Sequence, residues 1–472
     1  MASESLKQKV AAAFDEPGCA VNRDKTAQDR KRGCGAKSLA PGAAAGGCAF
    51  DGAKIALQPI TDALHLVHGP IACEGNSWDS RNSGSTGPQL YRTAFTTDLS
   101  EFDIIHGGEK RLYRAIGEVV RRFRPPAVFV YVTCVPALTG DDVEAVCSAA
   151  SERLGLPVIP VMAPGFAGSK NLGNKLAGQT LMEHVIGTRE PETTTPFDIN
   201  LLGEYNVAGE LAEIRRLLAR IGVRLLTTIT GDARFAEVCT AHRARVNMVV
   251  CSQAMVSFGR AMQERWEIPY FEGSFYGVGE TSSTLRTLAR MLIERGAPDG
   301  LAERTEAVIA DEEAGVRARL EPYCRRLAGK RALLYTGGVK SWSMVSALQE
   351  LGLVLVGTSV RKSTDEDKAR ITTLMGEDAP MVGQIPAKEL YRRLASGEAD
   401  ILLSGGRTRF VALKTRTPWL DVNQERHDPY AGYAGAVTLA ERIDAEIANP
   451  IWAQVRRPAP WDTPTQTKEE GR

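Results

Sequence analysis

The sequence predicts an α/β protein in which parallel sheets are covered by helices. Two observations carry this expectation. Short apolar runs, such as residues 127–132 and 158–161, alternate with stretches of helical periodicity, which is the βαβ rhythm of a parallel sheet. The rhythm also returns in three successive blocks. At 472 residues the chain is too long for one hydrophobic core, so three Rossmann-like domains are expected.

Residues 1–47 read as a flexible N-terminal segment, because a charged stretch (Arg23 to Arg32) leads into Ala-Pro-Gly-Ala-Ala-Ala-Gly-Gly, which holds neither helix nor strand well. The first domain is expected over residues 48–192. It contains a buried strand at 127–132, a helix at 141–154 and a strand at 158–161. A Pro/Thr-rich segment at 190–196 then reads as a linker. The second domain, 193–328, has strands at 199–202, 225–229 and 248–250, with Leu211, Ile214, Leu218 and Ile221 on one helix face. A long charged helix spans 300–327. The third domain, 329–472, has strands at 332–335, 353–356 and 401–403 and ends in a helix and tail.

Open parallel sheets bind ligands beyond the carboxyl ends of their strands. Cys134, Cys251, Gly337-Gly338 and Gly405-Gly406 all follow apolar runs. Each Gly-Gly reads either as a tight turn or as a nest of N–H groups for an anion, with Lys340 and Arg407 close behind. No Gly-x-x-x-x-Gly-Lys-Ser/Thr and no Gly-x-Gly-x-x-Gly occurs, so nucleotide binding by this chain has no support.

A formal charge of +1 gives no electrostatic reason to expect nucleic acid or an anionic membrane as partner. No apolar stretch approaches the roughly 18 residues of a membrane span, and the N-terminus lacks a signal-peptide core. A cytoplasmic protein is expected. Nine cysteines, an odd number, suit thiols rather than a disulfide framework. The absence of Cys-x-x-Cys and His-Glu-x-x-His excludes a zinc ribbon, a thioredoxin-type pair and a zinc hydrolase.

Cys48, Cys73 and Cys134 stand apart. Each lies beside glycine, proline or the end of an apolar run, and they are separated by 25 and 61 residues, so only a fold gathers them. Three gathered thiolates suggest an iron–sulfur cluster short of one ligand; spacing alone also admits packing. Cys147, Cys239 and Cys324 sit in helical patterns and read as packing, as do Met248, Met255 and Met262. Cys19 and Cys34 read as exposed bystanders. His65 and His68 read as core or helix-end histidines.

Four strings, His-Gly-Pro-Ile-Ala-Cys, Thr-Cys-Val-Pro-Ala-Leu, Gly-Glu-Tyr-Asn-Val-Ala-Gly-Glu and Leu-Leu-Tyr-Thr-Gly-Gly-Val-Lys-Ser-Trp-Ser, resemble the nitrogenase component 1 superfamily. Within it the chain is most similar to the scaffold branch that serves assembly of the iron–molybdenum cofactor. The resemblance runs from about Cys48 to the Arg-Arg-Pro-Ala-Pro-Trp-Asp tail. It implies that Cys48, Cys73 and Cys134 hold a [4Fe–4S] cluster at a subunit interface, the partner adding a further cysteine. It also implies a site between the domains where Cys251 anchors an iron–sulfur precursor while molybdenum and homocitrate are added. Arg81 and Lys340 match arginine positions near the cofactor, and Lys170 replaces a glutamine. Asn423 stands where the catalytic subunit has its molybdenum-binding histidine, and Asn174 where it has a histidine for substrate protonation. A neutral amide is a poor metal ligand and relays no proton.

The implied partners are a NifN-type subunit in an α2β2 heterotetramer, the nitrogenase iron protein with MgATP, an upstream precursor donor and apo-nitrogenase component 1. The expected role is an assembly scaffold rather than an enzyme. The alternatives are a catalytic subunit of a nitrogenase-like reductase, including the dark-operative protochlorophyllide reductase, and a purely structural partner without a large cluster.

Overall fold

The computed structural model describes residues 47–78, 94–250, 252–336, 341–360, 363–383, 385–423 and 425–458. Thirteen strands among these residues form three wholly parallel sheets flanked by helices. The first sheet contains β1 (Leu64–His68), β2 (Ala94–Thr96), β3 (Val128–Val132) and β4 (Val158–Val161), in the order β2-β1-β3-β4. The second contains β5 (Asp198–Leu202), β6 (Arg224–Ile229), β7 (Val246–Val249) and β8 (Tyr270–Glu272), in the order β6-β5-β7-β8. The third contains β9 (Arg331–Tyr335), β10 (Val354–Ser359), β11 (Met381–Val382), β12 (Ile401–Ser404) and β13 (Trp419–Asp421), in the order β11-β10-β9-β12-β13.

Strands covered on both faces read as unbroken apolar runs. Val-Phe-Val-Tyr-Val of β3 is buried at every position, as are the expected helix-face residues Leu211, Ile214, Leu218 and Ile221. The helix expected at 141–154 is observed as Val143–Leu154. Asp142 caps it by accepting from the backbone N–H of Ala145, and Gly155 closes it in the left-handed region. The charged helix Gly300–Leu327 is present over its full expected length. Cys147, Cys239 and the three methionines are buried, and Cys324 is half-buried.

The connecting segment at 190–196 is held in place: the Arg224 guanidinium donates to the Thr193 carbonyl at 2.7 Å, and the Thr195 N–H donates to Asp198 at 2.8 Å. The stretch around His65 and His68 is strand β1, and both rings are fully buried, as the core reading of these histidines expects. Cys73 lies in the first turn of a helix.

Residues Cys48–Arg472 cluster as one compact unit. One core joins the second and third sheets through Ile199, Leu201, Leu334 and Leu403. Another joins the first and second through Val67, Phe129, Leu202 and Val249. Among the described residues no helix is long and apolar enough to cross a membrane.

In each sheet the strand order reverses between two central strands: β1 and β3, β5 and β7, β9 and β12. Such reversals open the crevice where α/β proteins bind ligands. Cys73 and Cys134 follow β1 and β3, Cys251 follows β7, and Lys340 and Gly405 follow β9 and β12.

Candidate metal-cluster site

Three helix N-termini present the three cysteines. Helix α1 (Ala49–Leu57) has Cys48 as its extended N-cap residue. Helix α2 (Ile71–Trp78) carries Cys73 in its first turn, the Cys73 N–H donating to the Pro70 carbonyl at 3.1 Å. Helix α3 (Cys134–Thr139) opens on Cys134, and the Thr133 hydroxyl ahead of it donates to the His68 carbonyl at 2.9 Å. The fold therefore ties the exits of β1 and β3 together just before their cysteines.

The sulfurs converge around Gly165. A methyl group there would lie 3.0 Å from Cys134 Sγ and 3.1 Å from Cys48 Sγ, tighter than ordinary packing, so glycine keeps this space open. Burial, followed by the neighbouring Cys134 and Cys48, pushes the Cys73 thiol above its ordinary pKa. Helix N-termini favour thiolate, and three adjacent thiolates require compensating cations. No group of three or more His, Cys, Asp or Glu side chains among the described residues could hold a single metal ion. The donor set suits a multi-iron cluster, in which each thiolate binds its own iron.

The support beneath the cysteines is charged and buried. Lys54 of α1 pairs with Glu74 of α2, so the helices carrying Cys48 and Cys73 are joined by a fully buried ammonium. His68 Nε2–H donates to Asp141 Oδ2 at 3.0 Å, and the Thr97 hydroxyl donates to His68 Nδ1 at 3.1 Å. Burial lowers the His68 pKa below its ordinary value despite Asp141. The ring is thus a neutral strut between β1 and the loop before Val143–Leu154.

Helix α4 (Lys170–His184) crosses α1 in backbone contact. A methyl at Gly52 would overlap the Lys170 carbonyl, and one at Gly173 the Ala49 carbonyl. Ser169, ahead of α4, also forms a β-bridge with Cys48. Lys170 is thereby placed beside the cysteine-bearing helix, its ammonium 3.8 Å from Asp51 Oδ2. Asn174 follows one turn later, buried, with no hydrogen-bond partner for its Oδ1 among the described residues. At Gly178, α4 meets Phe258 of α5 (Ser252–Trp266). It therefore spans from the trio to the helix that follows Cys251 in sequence. Cys251, Lys340 and Arg81 lie outside the described residues.

Asn423 lies in the third sheet's crevice. Its side chain sits over the turn after β12, where a Gly405 methyl would be 3.0 Å from Asn423 Nδ2, and its N–H donates to Asp421 Oδ1 at 2.6 Å. The Asn423 carbonyl accepts from Arg426. Arg426 is itself buried and donates to Glu210 at 2.7 Å and to the Tyr276 hydroxyl at 3.3 Å. Sequence reasoning missed this anchor, although Glu210 closes the Gly-Glu-Tyr-Asn-Val-Ala-Gly-Glu string.

Three cysteine sulfurs gathered beside the switch point of one of three parallel sheets match the arrangement expected of a protein of the nitrogenase component 1 type. The family of nitrogenase component 1 type oxidoreductases matches residues 48–448, and the chain belongs to it. Among curated relatives it is 60% identical over 466 residues to the nitrogenase iron-molybdenum cofactor biosynthesis protein NifE of Bradyrhizobium diazoefficiens, covering 99% of this chain and 85% of that one. It is 51% identical to the protein of the same name from Klebsiella pneumoniae, covering 96% and 99%. Among solved structures, "Nitrogenase Cp1 at pH 5" superposes with a TM-score of 0.80 at 30% identity, covering 88% of this chain and 90% of that one.

Proposed function

We propose that this chain is a scaffold subunit for iron–molybdenum cofactor biosynthesis, consistent with the names its relatives carry over nearly full length. Cys48, Cys73 and Cys134 hold a [4Fe–4S] cluster, and a related NifN-type subunit supplies a further cysteine in an α2β2 heterotetramer. When bound, that cluster provides one-electron transfer. The chain's own part is to hold three thiolates at helix N-termini and to fix their spacing through the Lys54–Glu74 pair and the open space at Gly165.

The single observation that carries the interface reading is the apolar rim of the trio. Ile71 opens α2 and is 61% exposed, Leu138 of α3 is 75% exposed, and Phe166 beside Gly165 is 58% exposed. Phe102 and Ile105 are also exposed, on the helix Glu101–His106 that packs against α3. Exposed apolar side chains gathered in one place mark protein–protein contact.

The cargo is an iron–sulfur precursor anchored by Cys251, with molybdenum and homocitrate added to it before transfer to apo-nitrogenase component 1. The iron protein with MgATP and an upstream precursor donor are its other partners. Lys170, Lys340 and Arg81 supply positive charge toward this anionic cargo. Asn423 and Asn174 give a weak ligand and no proton relay, so the cargo is held firmly at one end only and can leave. The test is an anaerobic maturation assay. The purified complex restores acetylene reduction to cofactor-deficient nitrogenase and reduces little acetylene itself; reduction at nitrogenase-like rates by the complex alone overturns the scaffold reading.

A further inference from the structure

The helices over the third sheet carry exposed apolar side chains that the rim of the cysteines does not include. Helix α6 (Arg409–Thr415) packs Ala412 into a core with Leu390 and Leu402, while Phe410 and Leu413 are left outside. Phe410 is 69% exposed. Helix α7 (Ile451–Val455) presents Ile451 and Val455, one turn apart and both exposed. The two helices meet at their ends, where Arg456 Nε–H donates to the Arg416 carbonyl at 3.0 Å. The Trp452 indole donates to the Glu446 carbonyl at 2.9 Å, which anchors α7 to the end of the preceding helix, Gly432–Ala448.

The charges on these two segments are of one sign. Arg409, Lys414, Arg416, Arg456 and Arg457 are exposed, and none of them forms an ion pair among the described residues. Neither residues 409–416 nor residues 451–457 include an Asp or Glu. Several exposed arginines elsewhere are paired, Arg286 with Glu306 and Arg290 with Glu294 at 2.7 Å, and Arg326 with Asp444 at 2.8 Å. Like charges gathered without partners repel, and an anionic surface laid over them removes that repulsion. Arg409 is also held in place, its guanidinium lying 5.6 Å from the centre of the Trp419 ring.

We propose that this face is a docking site for an acidic protein, one that sets an apolar side chain against Phe410 and Leu413 and carboxylates against the cations around them. Four of the five cations are arginine, whose planar fork pairs bidentately with carboxylate. An apolar centre within a charged rim is the anatomy of a protein–protein contact, whereas a nucleic-acid surface is met chiefly by polar and cationic groups. The unpaired charge also sets this face apart from a permanent subunit interface, which is more apolar. Docking here is transient, steered by charge and sensitive to salt.

The experiment uses the complete heteromeric complex and, as probe, a fluorescein-labelled peptide in which glutamate alternates with phenylalanine and leucine. Fluorescence anisotropy should show binding at low salt, weakened about 10-fold as the salt rises from about 50 to about 300 mM. Lys414→Glu combined with Arg457→Glu should weaken binding about 10-fold or more. Phe410→Ser should weaken it about 5-fold or more. Thermal melts of these variants should match wild type, because the positions are exposed. The same peptide with lysine in place of glutamate should not bind. Arg290→Glu, at an exposed arginine outside this face, should bind the acidic peptide as wild type does.

Equal binding by wild type and by the substituted faces overturns the proposal, and so does an equal loss in Arg290→Glu, which would report overall charge alone. Phosphatidylglycerol vesicles that bind wild type and not the variants, where the peptide binds neither, assign the face to a lipid surface instead. Dissociation of the heteromer by the substitutions, seen in size-exclusion chromatography, assigns it to the subunit interface. Peptide binding that appears only once residues 459–472 are removed assigns it to the chain's own tail. Each of these three results overturns docking of an acidic protein.

Discussion

Gly173 of α4 rests directly on the Ala49 carbonyl of α1, at a point where no side chain fits. Because Cys48 caps α1, this contact sets where one sulfur of the trio stands. Gly173→Ala is expected to push the helices apart at a cost of about 1–3 kcal/mol. Thermal melts read the loss, and iron per heteromer after anaerobic purification falls with it. Gly117→Ala, at an open position in the helix Glu109–Phe123, leaves the iron unchanged and raises the melt slightly, since alanine is favoured over glycine inside a helix by about 0.5–1 kcal/mol.

Arg426 and Glu210 form a buried ion pair spanning 216 residues. Removing one partner of such a pair leaves an uncompensated charge and costs about 3–5 kcal/mol. Arg426→Met should therefore melt well below wild type. Arg426→Met combined with Glu210→Met should recover part of the loss, because Glu210 no longer stands unpaired, while the buried Glu204 still lacks the Arg426 charge. If the two effects simply add, the pair does not lock the Asn423 loop as described.

Acid should weaken the fold through His68. Its folded pKa lies below the ordinary 6.5, so the unfolded chain takes up a proton there while the folded ring stays neutral. The stability linked to this ring is present above 6.5 and is lost as the pH falls below it. Melting temperatures measured from about pH 7.5 down to about pH 5.5 should fall more steeply for wild type than for His68→Gln. Parallel curves would exclude His68 as the source.

The apolar rim should govern assembly rather than folding. Phe166→Glu and Leu138→Glu alter exposed positions, where folding stability shifts by about 0.5 kcal/mol or less. Size-exclusion chromatography with the co-expressed partner should nevertheless show loss of the heteromer. A heteromer that survives both substitutions would place the interface elsewhere.

Much of the fold was legible because both-face burial writes itself into sequence. Val128–Val132 and Val158–Val161 are near-unbroken apolar runs. Strand β1 was not read, because His65 and His68 interrupt its apolar pattern. They are tolerated inside because His65 Nε2–H donates to the Ile60 carbonyl at 3.1 Å while the Tyr131 hydroxyl donates to Nδ1 at 2.8 Å, and His68 is satisfied similarly. The edge strands β2, β8 and β13 are three residues long and β11 two, too short to leave a periodic signal. At the site, the cysteines were legible by residue type and the two asparagines by resemblance. Asp51, Lys54 and Arg426 were not, since what matters about them is a partner far along the chain.

The central claim is that one chain serves two iron sites: a resident cluster on Cys48, Cys73 and Cys134, and a cargo cluster on Cys251. Iron counted per anaerobically purified heteromer, for wild type and for Cys251→Ala, tests it most directly. Wild type should carry the iron of a cubane plus a larger cluster, and Cys251→Ala should keep only the cubane iron with its spectrum intact. Equal iron and equal maturation activity in the two proteins would contradict the account.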